Sequence, residues 1–483
     1  MKKFRQYFPP FLLFIFALVF FLRLPGLFEP HRYADEDIYL TLGQALRKGL
    51  VFYRDIHDNK PPLLYFLAAL AVNVPVFRLI LLFWHLVNVF LFFQICQKIF
   101  TKPSHSFLST LIFAILSSIP LTEGNISNGE IFMIMPTTAA VLLLIKKTKF
   151  FASGLLFSLA FLFKVPVIFE LFALIFFITV YQQKNIFSGL KKIFSSSVLL
   201  LLLGFFLPIF ASILYYSLHS AGEPYVKAAL MQNIGYLGSW EGQSAPFYQS
   251  GLFIRGLIFA FLILAIFLSR RFLNQKFALI SLWFLGALFG SLLSGRPYPH
   301  YFIELLPPAS LLLVYLFTQK SKLVAFYSFL FFSLTAFSLY YYQFWHYQTI
   351  PYYQNFILYA TGKINRQDYY GFWGQSVLIN YDIGSYLKQN TTPDQKIFVW
   401  GTEPAIYAIS DRLPLGKYTV AYHIIDFQAK DQTIKNILDN PPRFIVYFPN
   451  NPEFQELDDL LLEHYTVVKI FPPALIYQQN DSI

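Results

Sequence analysis

The sequence predicts a polytopic α-helical membrane protein that carries a small α/β domain in its C-terminal part. Of its 483 residues, 56% are hydrophobic and only 13% are charged, whereas charged residues make up ~25% of a typical soluble domain. Apolar runs recur up to residue 342, and a run of about twenty such residues forms a helix long enough to cross a bilayer core. This composition excludes an ordinary soluble enzyme.

Eleven transmembrane spans are predicted from the apolar runs and from the polar or proline-containing breaks between them. The first is interpreted as an uncleaved anchor, because it is long and lacks a small-residue cleavage site. In chain order, the spans cover residues 9–28, 77–97, 106–122, 131–146, 150–164, 166–182, 196–216, 251–269, 277–293, 301–318 and 323–342.

Lysine and arginine concentrate on one side of these spans, in short segments that contain no Asp or Glu. Because Lys and Arg bias short loops toward the cytoplasm, the N-terminus is predicted to be cytoplasmic in a multi-pass protein of the cell membrane. This topology accounts for the formal net charge of +11 without a nucleic-acid partner. The basic residues on the predicted inner side are Lys2, Lys3, Arg5, Lys98, Lys102, Lys146, Lys147, Lys149, Lys184, Lys191, Lys192, Arg270, Arg271, Lys276, Lys320 and Lys322.

Three long segments, residues 29–76, 217–250 and 343–483, fall on the opposite, outer side, so function is expected there. Residues 34–50 predict an amphipathic helix that lies flat at the membrane interface. Residues 61–75 predict a second interfacial or re-entrant helix, because counting them as a span would put the basic loops on the wrong side. The apolar face of the first helix holds Ile38, Leu42, Ala45 and Leu46.

The predicted domain boundary separates a transmembrane domain, residues 1–342, from an extracytoplasmic α/β domain, residues 343–483. The second part alternates helix-like segments with strand-like segments such as KIFVWG, RFIVYF and TVVKIF, which is typical of a small α/β domain. It contains no glycine-rich phosphate loop, so the sequence gives no support to a nucleotide site.

An acidic cluster, Asp35, Glu36 and Asp37, follows the first predicted span after a few residues. Two interpretations stay open. Acidic residues favour the start of a helix, and a carboxylate pair in a water-filled cavity above the bilayer suits a general base that deprotonates an acceptor hydroxyl.

A second polar segment, with His57, Asp58 and Lys60, ends at a pair of prolines. One interpretation is a solvated turn, since the residue before a proline favours an extended conformation. The other is a phosphate site, because a lysine at the start of a short interfacial helix is well placed to bind a lipid phosphate.

Further polar residues interrupt apolar sequence near the predicted outer ends of later spans. Ionisable groups in membrane helices usually face a cavity and have a function, although a lysine such as Lys164 also has the alternative of snorkelling to the interface. Arg296 and His300 together would suit a phosphate clamp. The residues of this set are Glu130, Lys164, Arg296, His300, Tyr301 and Glu304.

The sequence predicts neither a cofactor nor a dedicated metal site. It contains no HExxH motif, only one cysteine and no DxD loop motif, which are the usual local signals for a bound metal. A divalent metal stays open as an alternative.

These motifs resemble, in their order, the bacterial membrane glycosyltransferases of the GT-C superfamily, relatives of the protein O-mannosyltransferases and of the transferase that adds aminoarabinose to lipid A. The resemblance covers most of residues 1–342. It is carried by ADEDIYL, YRDIHDNKPPLLYFLAAL, NGEIFMIMP, Lys164 and RPYPHYFIELLPP, and IFVWGTEPAIYAISDR looks like the outer domain of many bacterial members.

The resemblance implies a GT-C fold of about eleven transmembrane helices. It also implies an inverting, nucleotide-independent transfer of a sugar from a polyprenyl-monophosphate donor to a lipid, glycan or protein acceptor on the outer face of the membrane.

Carried over to this chain, the resemblance assigns roles to individual residues. Asp35 matches the family's first-loop acid, which makes Asp35, with its neighbour Glu36, the expected catalytic carboxylate. Lys60 matches the basic residue that binds the lipid phosphate, and Arg296, His300 and Tyr301 are expected to assist it. Asn59 stands where many members have an acid or a His. The remaining expected cavity residues are His57, Asp58, Glu130 and Lys164.

Two other classes of protein are considered. A transporter or flippase of lipid-linked sugars would also have many spans and buried charges, but inverted-repeat signals are lacking and the polar residues concentrate on one side rather than at the midplane. A binding or assembly protein would leave the acid pair and the KPP motif without a role.

Overall fold

The computed structural model of the protein describes residues 9–183, 186–232 and 250–480. Within them, every predicted span corresponds to an apolar helical segment. These segments are Pro10–Phe28, Val74–Ile99, Pro103–Leu116, Gly129–Ile145, Phe150–Phe163, Val167–Tyr181, Ser196–Leu218, Gly251–Leu268, Gln275–Ser291, Pro299–Thr318 and Lys322–Tyr341.

Six of these apolar segments are long and apolar enough to cross a membrane, and the rest are shorter, with 10 to 17 residues. The prediction of a polytopic helical membrane protein is therefore confirmed. Its orientation stays a prediction, which reporter fusions after residue 345 would check. Lys2, Lys3, Arg5 and Lys184, which contribute to that prediction, lie outside the described residues.

The chain divides into two compact units, each built from separate stretches of sequence. The first unit takes Met1–Leu24, Ile80–Tyr215 and Ala229–Thr349, and the second takes Pro25–Leu79, Tyr216–Ala228 and Ile350–Ile483. The segment after the first span thus packs with the C-terminal residues. The predicted domain boundary at residue 342 stays a prediction.

The first unit consists largely of apolar helices that approach one another closely at small residues. A Cβ at Gly154 would lie 2.0 Å from the Leu201 carbonyl oxygen, and one at Gly204 would lie 2.1 Å from the Phe151 carbonyl oxygen. Glycine at both positions lets helix Phe150–Phe163 contact helix Ser196–Leu218 backbone to backbone.

The second unit begins with the two helices predicted for the first outer segment, Ala34–Arg47 and Leu63–Ala71. They pack so closely that a Cβ at Gly43 would lie 2.6 Å from the Ala68 backbone. With only nine residues, the second helix is too short to span a bilayer, as predicted.

The burial of helix Ala34–Arg47 differs from the prediction. An interfacial helix would bury only the face with Ile38, Leu42 and Ala45, yet every residue from Glu36 to Ala45 is buried. The physical reason is that neighbouring elements of the second unit cover its polar side as well: the Gln44 side chain, for example, donates a hydrogen bond of 2.7 Å to Asp411.

A four-stranded sheet forms the centre of the C-terminal residues, and its strands are β1 (Phe398–Trp400), β2 (Phe444–Tyr447), β3 (Tyr465–Phe471) and β4 (Ala474–Gln479), in the spatial order β1-β2-β4-β3. Strands β1 and β2 are parallel, whereas β4 is antiparallel to both β2 and β3. The α/β prediction is confirmed. Its three strand-like segments correspond to β1, β2 and β3, whereas β4, whose polar end (YQQ) weakens the strand signal, was not among them.

Helices cover both faces of this sheet. Alternate residues of β1 point to opposite sides: Trp400 belongs to one apolar core and Val399 to the other, as the two-residue period of a strand requires. In the described residues, the remaining α-helices are Ile186–Lys192, Gly222–Tyr225, Thr349–Ala360, Arg366–Gly371, Gln375–Asn390, Ala405–Ser410, Ala421–Asp426, Lys430–Asp439 and Gln455–His464.

Candidate functional site

Lys60 lies between two carboxylates in the second unit. Its ammonium nitrogen is 3.6 Å from an oxygen of Asp35 and 3.6 Å from an oxygen of Asp58. The same nitrogen lies 5.1 Å from the centre of the Tyr39 ring, within the range of a cation–π interaction. The structure thus brings together two of the predicted motifs, the first acid and the lysine before the proline pair.

Asp58 is the buried carboxylate partner of Lys60 in this cluster. It is only 1% exposed, and it accepts hydrogen bonds of 2.7 Å from the Tyr65 hydroxyl and from the Asn59 backbone N–H. Burial acts to raise the pKa of Asp58, but the charge of Lys60, the nearby His423 and these hydrogen bonds lower it to about 2. Its ionised form therefore contributes stability above the ordinary pKa of 3.8, and this contribution is lost as the pH falls toward 2.

Asp35 is the more accessible partner of Lys60, with 31% of its side chain exposed. It is the second residue of helix Ala34–Arg47 and accepts a 3.0 Å hydrogen bond from the Tyr39 hydroxyl one turn further on. Tyr33 occupies the N-cap position, and no side chain caps the helix. Asp35 is thus a partly exposed carboxylate next to a cation, an arrangement available to a substrate.

The loop with Lys60 is fixed from both ends. The Tyr53 hydroxyl donates a 2.7 Å hydrogen bond to the Lys60 carbonyl oxygen. The His57 backbone N–H donates a 3.0 Å bond to the Lys417 carbonyl oxygen, and the His57 ring packs against Phe427, with ring centres 4.7 Å apart. Residues of the C-terminal α/β part therefore support the loop, which sequence reasoning did not predict.

Glu36 does not join this cluster, although it was predicted as the partner of Asp35. Its carboxylate accepts hydrogen bonds of 2.7 and 3.1 Å from Arg78. Arg78 also forms a 2.7 Å ion pair with Glu29, which accepts a 2.5 Å hydrogen bond from the Tyr352 hydroxyl. Glu36 thus belongs to a buried ion network. The sequence signal for this network was Arg78, an arginine inside an apolar run.

Replacing Arg78 by methionine is expected to destabilise the protein by about 3–5 kcal/mol, because it leaves the buried carboxylate of Glu36 without its cation and leaves Glu29 with Arg32 alone. Gel filtration of the detergent-solubilised protein after heating to a series of temperatures would measure the loss of thermal stability. Arg47→Met is the matched control, since Arg47 is exposed and donates only to the Ala69 carbonyl oxygen. Equal thermal stability of the two variants would contradict the prediction.

A second cluster of predicted site residues lies in the first unit. The Lys164 ammonium is 2.8 Å from Glu130 and lies 5.3 Å from the centre of the Tyr301 ring. His300 hydrogen-bonds to Glu123 through Nδ1, and its Nε2 is 3.9 Å from Glu130. Lys164 is therefore paired with a buried acid, which snorkelling alone does not require. Glu123 is a further residue of this cluster, and sequence reasoning missed it.

Glu304, a predicted polar residue without an assigned role, is buried near this cluster and accepts a 3.2 Å hydrogen bond from the Ser291 hydroxyl. Arg296 is half-buried, and its backbone N–H donates a 3.3 Å bond to the Ser294 hydroxyl. The residues of this cluster belong to the first unit, and Lys60 belongs to the second. In residues 9–183, 186–232 and 250–480, no three His, Cys, Asp or Glu side chains are grouped so that they could hold a metal ion.

Comparison with known proteins identifies the fold. No protein-family model and no curated protein matches the chain. The solved structure of ArnT from Cupriavidus metallidurans bound to undecaprenyl phosphate is similar with a TM-score of 0.59 and 10% identity, covering 97% of this chain and 98% of ArnT. The apo structure of the same protein gives a TM-score of 0.59 and 11% identity, over 96% and 97% of the two chains. This protein therefore has the GT-C fold of ArnT, as the resemblance of its motifs predicted.

Proposed function

We propose that the protein is a glycosyltransferase that moves a sugar from a polyprenyl-monophosphate donor to a lipid, glycan or protein acceptor on the outer face of the membrane. The observation that carries the proposal is the Lys60 ammonium beside the accessible Asp35 carboxylate, in a chain with the fold of ArnT, whose structure holds undecaprenyl phosphate. Fold alone does not determine function. These two side chains together offer a cation for the leaving phosphate and a base for the acceptor.

Lys60 is the proposed ligand of the donor phosphate. Its nitrogen lies 3.6 Å from each neighbouring carboxylate, beyond the 2.7–3.2 Å of a normal N–H···O hydrogen bond. A phosphate oxygen can therefore approach the ammonium more closely than either acid does. As the bond to the sugar breaks, negative charge grows on the phosphate, and a nearby cation stabilises that charge.

Asp35 is the proposed general base. The acceptor oxygen forms a bond to the anomeric carbon, the bond from that carbon to the phosphate oxygen breaks, and the lipid phosphate leaves with the electron pair. The acceptor proton passes to the Asp35 carboxylate, and attack from the face opposite the leaving group inverts the anomeric centre. If the acceptor is itself a phosphate, no base is required and Asp35 orients the acceptor.

The other predicted residues take supporting roles in this proposal. Glu36 becomes a positioning residue, because its bonds to Arg78 hold the helix that carries Asp35. Asp58 and His57 fix the lysine loop. Arg296, His300 and Tyr301 remain proposed donor-phosphate ligands on the motif resemblance, and Glu130 and Lys164 remain proposed cavity residues.

Incubating the purified protein with a polyprenyl-phosphate sugar and a cell-envelope extract that supplies acceptors tests the function. A glycosyltransferase will release free polyprenyl phosphate and transfer the sugar, with products identified by mass spectrometry. A transporter or flippase would leave the donor intact while moving it across the membrane of a sealed proteoliposome. Comparing glycolipids, polysaccharides and protein glycans of a deletion strain with those of its parent would identify the natural acceptor.

A further inference from the structure

The second unit contains a large groove that has no role in the reaction proposed above. Its volume is about 1210 Å³, above the roughly 300–1,000 Å³ of pockets for drug-sized molecules. Leu50 and Arg54 of the first outer segment line it together with residues of the C-terminal sheet and helices. Six carboxamide side chains line this groove: Gln395, Gln428, Gln432, Asn436, Asn440 and Gln479.

Carboxamides are well suited to sugar hydroxyls, because each carries both a hydrogen-bond acceptor and two donors. Gln432 and Asn436 stand one turn apart on helix Lys430–Asp439, and the Gln432 amide donates a 2.9 Å bond to the Asn436 oxygen. A rigid helix thus presents two amides side by side. Such a pair can bind neighbouring hydroxyl groups of one sugar ring.

The charges of the groove do not favour a phosphate or a nucleic acid. Its cations, Arg54, Lys396, Lys417 and Arg443, share the lining with the acids Asp55, Asp394 and Asp439. Arg54 is bound to Asp55 by two hydrogen bonds, of 2.8 and 2.9 Å. The four cations exceed the three acids by one, whereas a polyanion would need a larger surplus. A polar saccharide is compatible with this near balance.

An aromatic wall connects the groove to the candidate site. Tyr418 and Phe427, which line the groove, stack with ring centres 5.6 Å apart and an interplanar angle of 26°. Phe427 also contacts the His57 ring at 4.7 Å, and His57 directly precedes Asp58 and the lysine loop. A ligand held against these rings would therefore lie near the segment that carries Lys60.

We infer that this groove binds the saccharide portion of the acceptor. The α/β part of the chain would then determine which acceptor is recognised. The inference rests on the proposed function and deepens it by naming the acceptor class as a glycan or a glycan-bearing lipid. The volume accommodates more than one sugar ring, and the aromatic wall offers a flat apolar surface to the C–H face of a sugar.

The test compares three full-length proteins in detergent on an array of bacterial cell-envelope oligosaccharides. They are the wild type, the double variant Gln432→Ala/Asn436→Ala and the control Gln455→Ala. Gln455 makes the same kind of helix-surface bond, 2.9 Å to Asp459, but does not line the groove. We expect wild type and control to retain the same oligosaccharides and the double variant to bind them about tenfold more weakly, because several hydrogen bonds are lost.

Retention of no oligosaccharide by the wild type, or equal retention by the double variant, would overturn the inference. Release of polyprenyl phosphate from a polyprenyl-phosphate sugar, measured on the same wild-type preparation, separates this failure from a failure of the proposed function. Inorganic phosphate that competes with the retained oligosaccharide would also overturn it, since the site would then bind anions.

Discussion

Asp35→Asn is expected to lower turnover by about 10²–10⁴-fold while leaving protein yield and donor binding near the wild-type level. Removal of a general base typically costs that much in rate. An amide has nearly the shape of the carboxylate but takes no proton from an acceptor hydroxyl. The loss would therefore appear in kcat and much less in the affinity for the donor.

The structure makes this substitution a clean one. The asparagine oxygen can still accept the hydrogen bond from Tyr39, and Asp35 is not the N-cap residue of the helix, which is Tyr33. Asp35 is also partly exposed, and Lys60 keeps its second carboxylate, Asp58. A drop in turnover would report on the chemistry of the carboxylate and not on folding.

The measurement is the initial rate of sugar transfer by purified enzyme at saturating donor. Glu456→Gln serves as the control, since Glu456 is likewise an acid at the second residue of a helix, is exposed and lies in the α/β part. With a hydroxyl acceptor, near wild-type turnover of folded Asp35→Asn would refute the catalytic role. With a phosphate acceptor, where Asp35 only orients the acceptor, the substitution would instead raise the KM for the acceptor.

Lys60→Ala is expected to weaken donor binding by roughly 10–100-fold, because a hydrogen bond to a charged group is worth about 1.5–3 kcal/mol. Lys60→Arg should lose less, since it keeps the charge with a different geometry. Equilibrium binding of a polyprenyl-phosphate sugar to the detergent-solubilised protein measures both. Lys48→Ala is the matched control, because Lys48 is an exposed lysine that donates to the Pro393 carbonyl oxygen.

Loss of Lys60 also removes the cation beside buried Asp58, so stability has to be measured in parallel. We expect Lys60→Ala to unfold at a lower temperature than the wild type and Lys60→Arg to unfold close to it. Unchanged donor affinity in folded Lys60→Ala would exclude Lys60 as the phosphate ligand. The same result would leave the ammonium only a structural role between Asp35 and Asp58.

The helices of the membrane part were predictable because their signal is local. A run such as Ser196–Leu218 is strongly apolar and contains no charged residue, and no distant contact is needed to make it helical. The nine-residue helix Leu63–Ala71 was predictable for a similar reason, since the proline pair before it limits where a helix can begin. The polar end of β4 carried no such signal.

The roles of the two neighbouring acids were not predictable from the sequence. Successive residues of an α-helix point about 100° apart, so Asp35 and Glu36 face different surroundings. One faces Lys60 and the other faces Arg78. The sequence does not say which side of the helix packs against which neighbour. It therefore predicted that Asp35 and Glu36 act as a pair, whereas in the structure each acid has its own cationic partner.

Sequence by itself determined the class of protein, the apolar helices, the α/β character of the C-terminal part and the residues that can carry chemistry. These follow from hydrophobicity, periodicity and breaks that act over a few turns of chain. Only the tertiary structure decided that Lys60 meets Asp35 and Asp58, that Glu36 belongs to a buried ion network, and that Phe427 packs on His57. Such contacts join residues far apart in the chain, and their geometry depends on how whole elements pack, which no local pattern encodes.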